Sequence, residues 1–391
     1  MEEKVTDQMT IQKPKKAQRM ANLELLRCIA MMMVIVLHYL GKSELLVDLT
    51  EESLGSVGTA AWFLESFCIV AVNAYMLISG YFLCMSTYKV SRLIKLYLQV
   101  WFYSVGVGVL AIATGIFPRQ EVTIHDLLTF VFPVSMEHYW FITAYVFLYI
   151  LLPFMGGALR RMTKGQMQIA LGTLLAVFCV LKSVLLVRLE KDLQGYDCLW
   201  YLCVFVTAAY LRRFGLPFLQ KMKNSLLLYV GGCVAVFGLT MGLRQVYLRT
   251  GSLDRILGIG MEYNHVLPFL AAVGLFGLFA LLKVGERAGT FINKIAPYTL
   301  GVYLLHEHIG LRYAWQNWLG AEWVLQHEGV AGILALAAGT LAAVTVVFGA
   351  GILFDMLREK VMKGLHFILM KVGLYRRIVG AVEKADNIFA E

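Results

Sequence analysis

Ten apolar stretches run through this chain, at residues 21–40, 58–83, 93–116, 138–155, 166–187, 198–214, 225–242, 264–282, 296–313 and 330–354, joined by mostly short polar links. A helix needs about 20 apolar residues to cross the hydrocarbon of a bilayer. Backbone N–H and C=O groups find no water there, and a helix satisfies them within its own segment. The pattern therefore predicts an all-α polytopic membrane protein with about ten transmembrane helices. Composition agrees. Of the 391 residues 59% are hydrophobic and 16% charged, against about 25% charged in a soluble domain, and the mean hydropathy is +0.69. A further apolar piece, "LLTFVFPV" at 127–134, is too short to span and is expected to be re-entrant or interfacial.

The net charge of +9 raises nucleic acid or an anionic membrane surface as partners, so its distribution matters. With the N-terminus placed inside the cell, 25 of the 35 Lys and Arg fall on the inner side of the ten-span arrangement and 8 on the outer side. That bias is the signature of topology, not of a nucleic-acid patch, and it puts both termini in the cytoplasm. Residues 1–20 read as a polar cytoplasmic tail without the apolar core and cleavage site of a signal peptide. Residues 21–355 form the membrane domain. Residues 356–391 mix apolar and basic residues at helical spacing, as an amphipathic helix on the inner leaflet does. Seven cysteines, an odd number with no CxxC, indicate neither a disulfide framework nor a zinc site.

Ionisable residues inside spans are costly and usually face a cavity. The first span, "LLRCIAMMMVIVLHYL", carries two, Arg27 and His38. Eleven residues separate them, close to three full turns and about 16 Å of rise, so both project from one face at opposite ends of the span. The plainer alternative is that Arg27 snorkels to the inner headgroups while His38 sits at the outer interface. The second span holds Glu65 at a depth comparable with His38, where a carboxylate would fix the imidazole's tautomer. Span nine, "APYTLGVYLLHEHIGLRYAW", brings His306, Glu307 and His308; their spacing does not match HExxH, no metal is expected, and His306 is the residue expected to face inward. His138, Tyr139 and Trp140 mark the outer end of span four as an aromatic belt would. Arg92 and Lys95 share one helix face at the inner end of span three, which suits phosphates as well as an ordinary positive-inside flank.

Taken in order, these residues resemble the acyltransferase family 3, membrane-bound O-acyltransferases of bacterial surface polysaccharides. "RCIAMMMVIVLH" matches the family's basic residue and histidine in the first span, "ISGYFL" its Ser-Gly-aromatic stretch, and "YTLGVYLLH" its late Tyr-to-His segment ending at His306. "RLIK" stands where the family has Arg-x-x-Arg, so Lys95 keeps the charge but not the bidentate fork. The resemblance covers residues 20 to 355 and looks like a stand-alone membrane domain. It implies an acyl-CoA donor, acetyl-CoA foremost, entering from the cytoplasm with its phosphates near Arg27, Arg92 and Lys95. It implies a cell-envelope glycan as acceptor, His38 as general base or acyl relay, and Glu65 or His306 orienting it. It also implies a multi-pass protein of the bacterial plasma membrane. A transporter of an acylated glycan or small anion is the alternative that ten spans with buried charges leave open.

Overall fold

The computed structural model describes residues 19–188 and 193–389; most of the predicted N-terminal tail lies outside them. The described residues are helical and contain no strand. The helices used below are α1 (Ala21–Gly41), α2 (Gly55–Leu83), α3 (Val90–Ala113), α4 (Ile124–Val131), α5 (Trp140–Arg161), α6 (Lys164–Leu185), α7 (Cys198–Phe214), α8 (Met222–Thr250), α9 (Val266–Leu281), α10 (Glu286–Ile295), α11 (Thr299–His306), α12 (Gly329–Leu369) and α13 (Gly373–Ile388). Among the described residues, eight helical stretches are long and apolar enough to cross a membrane. Two of the ten expected spans fall outside that set. Helix α7 has 17 residues, about 26 Å at the helical rise. Span nine is not one helix: α11 stops after eight residues, at His306.

Large apolar side chains such as Val109, Phe154, Val184, Leu227 and Leu341 point outward and are largely exposed. So much contiguous exposed apolar surface is foreign to a soluble monomer and matches a lipid-facing belt. The interior is packed through small residues, which let helix backbones approach. An atom added as Cβ at Gly80 would sit 2.8 Å from Ala208 Cβ, so the glycine of "ISGYFL" is what lets α2 cross α7. One at Gly301 would overlap Asp355 and Tyr103, and one at Gly351 would come 2.7 Å from Val302 Cα. These two glycines seat α11 directly on α12.

Contacts between loops sort the chain into two ends. At one end Arg19 reaches Asn293 O, Asn22 reaches Ala280 O, and Arg160 reaches Cys84 O. Arg213 bonds Leu159 O there as well. At the other end Arg244 reaches Glu51 O and Lys42 pairs with Glu307. The last span overruns its expected end at 354: α12 continues to Leu369, and α13 follows after a short turn. Helix α13 is amphipathic and has no buried residue. It is docked on the protein, because Asp386 accepts hydrogen bonds from Ser91 N (3.0 Å) and Ser91 Oγ (2.5 Å), a cap supplied in trans to the start of α3. The short apolar piece at 127–134 falls largely on α4, which opens with a capping box between Thr123 and Asp126. Its exposed Ile124, Leu127 and Leu128 and buried Thr129 and Phe130 fit an interfacial helix leaning on α3.

Candidate active site

The break in span nine builds the site. A helix that ends inside a bundle leaves carbonyls without partners, and in lipid each must be answered by the protein. Glu307 N bonds Tyr303 O at 3.0 Å, Tyr139 Oη bonds Leu304 O at 2.9 Å, and Trp315 Nε1 bonds His306 O at 3.1 Å. The chain beyond the break is held by two buried imidazoles. His138 Nε2 accepts from Ile309 N (3.2 Å), while its Nδ1 lies 2.8 Å from Ser104 Oγ. His308 Nε2 lies 2.9 Å from Ser104 O, and its Nδ1 accepts from Gly310 N at 3.0 Å. His138 is therefore a buried structural residue, 3% exposed, and not part of an interfacial belt.

So held, the break turns His306 and Glu307 toward α1. His38 Nδ1 lies 2.9 Å from His306 Nε2 and 3.2 Å from Glu307 Oε2. Glu307 also pairs with Lys42 and, at 3.6 Å, with Arg312. The expectation that Glu65 is the carboxylate beside His38 is corrected here: that partner is Glu307. Glu65 lines the same cavity, but its Oε2 has no hydrogen-bond partner among the described residues. The misassignment has a physical cause. On a continuous helix through residue 313, His306 and Glu307 would point about 100° apart; the helix end after His306 releases that constraint.

The hydrogen bonds assign the tautomers. His306 Nδ1 is 2.6 Å from Val302 O, which can only accept, so the proton sits on Nδ1 and Nε2 is an acceptor. His38 Nδ1 must then donate to it, and Glu307 Oε2 accepts from the same N–H. His38 is left with an unprotonated Nε2, and its side chain lines the cavity. Gln316 Nε2 bonds His38 O at 3.1 Å and ties α1 to the segment after the break. This cavity, of about 340 Å³, is walled by Met31, Val34 and His38 of α1, Glu65 and Tyr75 of α2, Trp140, Tyr196, Tyr263, Tyr303, Glu307 and Arg312.

A second cavity, of about 560 Å³, collects Arg27, Arg92, Lys95 and Arg358. Arg27 pairs with Glu24 at 3.1 Å, and Arg358 makes a two-pronged contact to buried Asp355 at 2.6 and 3.1 Å. Tyr103 Oη (2.8 Å) and Gln99 Nε2 (3.1 Å) donate to the same carboxylate, which holds Arg358 in place. Arg92 and Lys95 have no ion-pair partner among the described residues. Phe141 and Leu300 line both cavities, so the two meet end to end along α1. Arg27, Met31, Val34 and His38 step along one face of that helix between them.

A family model described as an acyltransferase domain matches residues 20–352. The chain belongs to acyltransferase family 3. No curated protein and no solved structure matches it. Family 3 membership makes this protein a membrane acyltransferase, and the two cavities are where its chemistry is to be sought. Of the residues singled out from the sequence, the fold brings Arg27, Arg92 and Lys95 to one cavity and His38 and Glu65 to the other, while His306 touches His38 without lining that cavity. Sequence reasoning missed Glu307 as the partner of His38, although it adjoins His306. It also missed Lys42 and Arg312, counted only as outer-loop charges, and Arg358, assigned to a tail that is in fact the end of a core helix.

Proposed function

We propose that this acyltransferase moves an acyl group, acetyl foremost, from cytoplasmic acyl-CoA to a hydroxyl of a cell-envelope glycan, as a multi-pass protein of the bacterial plasma membrane. The observation that carries the reading is the end-to-end pair of cavities, one lined by cations and the other by a free imidazole nitrogen. The inner face is the one that gathers the N-terminal residues, the 84–91 link and α13, because Lys and Arg concentrate there. CoA phosphates dock against Arg92, Lys95, Arg27 and Arg358. The pantetheine arm passes between Phe141 and Leu300 and carries the thioester toward His38.

The acceptor hydroxyl gives its proton to His38 Nε2 as its oxygen attacks the thioester carbonyl. The tetrahedral intermediate collapses with cleavage of the C–S bond, and the departing sulfur takes the proton back from His38. His306 holds the imidazole in the required tautomer, and Glu307 faces the positive charge that develops on the ring. A general base contributes about 10²–10⁴-fold in rate. His38→Gln keeps a hydrogen-bonding side chain but no base, so label transfer from acyl-CoA to glycan in membranes of matched protein content should fall below detection. Near-normal turnover by that variant would remove His38 from the chemistry.

A further inference from the structure

A buried carboxyl group without a partner is expensive, most of all inside a membrane. Glu65 is such a group: it is 8% exposed, it lines the His38 cavity, and its Oε2 meets no hydrogen-bond donor among the described residues. The orienting role is already filled by Glu307, and among the described residues no side chain pairs with Glu65. Resting on the acyl-transfer reading above, we infer that Glu65 is the acceptor-recognition residue, which takes a hydrogen bond from a ring hydroxyl neighbouring the one that is acylated.

Two features of the cavity select a neutral polyol over an amine. A hydroxyl both donates and accepts, so it satisfies Glu65 whether the carboxyl is ionised or not, whereas an ammonium only donates. An ammonium would also join Lys42 and Arg312, two cations that share the single carboxylate of Glu307. The same cavity also has an aromatic surface. Trp140, Tyr196 and Tyr263 form a packed trio, with ring centroids 4.6 Å (Trp140–Tyr196), 4.7 Å (Tyr196–Tyr263) and 5.9 Å (Trp140–Tyr263) apart. Such rings offer apolar faces to the C–H face of a sugar while a polar group at its edge reads its hydroxyls. A cavity of about 340 Å³ has room for one sugar ring.

The test is a selectivity ratio measured in membranes with radiolabelled acetyl-CoA and two probe acceptors. One is a methyl glucoside, with several ring hydroxyls. The other is cyclohexylmethanol, with a ring of similar size and a single hydroxyl. Wild-type protein should prefer the glucoside in kcat/KM. Glu65→Met, of similar length but apolar, should cut the ratio of glucoside to alcohol about 10- to 100-fold, the range expected for leaving a buried hydroxyl unpaired. Glu65→Gln, which still accepts, should restore part of it. A ratio unmoved by Glu65→Met overturns the inference while leaving the base assignment intact. Transfer to both probes that survives His38→Gln overturns the base assignment instead. A wild-type protein that prefers the alcohol, or takes neither probe at millimolar concentration, overturns the recognition role.

Discussion

Glu307→Gln isolates the electrostatic part of the mechanism. Its carboxylate lies 3.2 Å from His38 Nδ1, and at an effective dielectric of about 20 a full positive charge on the imidazole would interact with it by about 5 kcal/mol. The transferring proton is only partly on His38 in the transition state, so about half to two-thirds of that is at stake, or roughly 2.5 to 3.5 kcal/mol. At about 1.4 kcal/mol per factor of ten, kcat should fall about 60- to 300-fold. Lys42 and Arg312 add to the loss, because without Glu307 both cations face the developing charge uncompensated. The apparent KM for acyl-CoA should stay near wild type, since Glu307 belongs to the cavity that does not hold Arg92 and Lys95. The assay is transfer of radiolabelled acetyl from acetyl-CoA in membranes normalised to the amount of protein, over a range of donor concentrations. Breaking a buried ion pair also costs stability, so the double variant Lys42→Met, Glu307→Gln, which removes one of the two stranded cations as well, serves as the folding control. If well-folded Glu307→Gln turns over within about threefold of wild type, the developing charge on His38 is not the quantity that Glu307 serves.

Replacing Arg92 and Lys95 together with Ala should raise the KM for acyl-CoA about 10- to 100-fold with a smaller effect on kcat, as expected for lost charge-assisted contacts to phosphate; unchanged donor saturation would reduce both to topology signals. Gly301→Leu should force α11 off α12 and displace Asp355. A cost of about 1–3 kcal/mol is usual for overpacking, read as earlier loss of monodisperse protein on heating in detergent. Single cysteines at Lys42 and Arg249 should react with an impermeant reagent added outside cells, and cysteines at Lys89 and Arg213 should not. The reverse pattern would invert the orientation.

Much of this protein could be read from local pattern. Whether a segment leaves water depends on the apolar side chains it carries over about 20 residues, a sum taken along one stretch of chain. The apolar helical stretches are therefore visible before any contact is known. So is the pairing of Arg27 with His38, because helical periodicity alone puts both on one face of α1. The composition of the two clusters was another matter. Glu65 and Glu307 are both carboxylates at a suitable depth, and hydropathy cannot choose between them. The choice was made by the helix break after His306, which rests on Tyr139, His138 and His308 meeting backbone groups from far along the chain and on Trp315 reaching back to His306 O. Arg358 joined the cation cavity because α12 runs on past its apolar part and Asp355 holds the guanidinium there. The sequence determined which segments enter the membrane, since that free energy is local. Only the tertiary structure decided which buried charges meet, since that depends on helix rotation and close approach, set by contacts such as Gly80 on Ala208 and Gly351 on Val302.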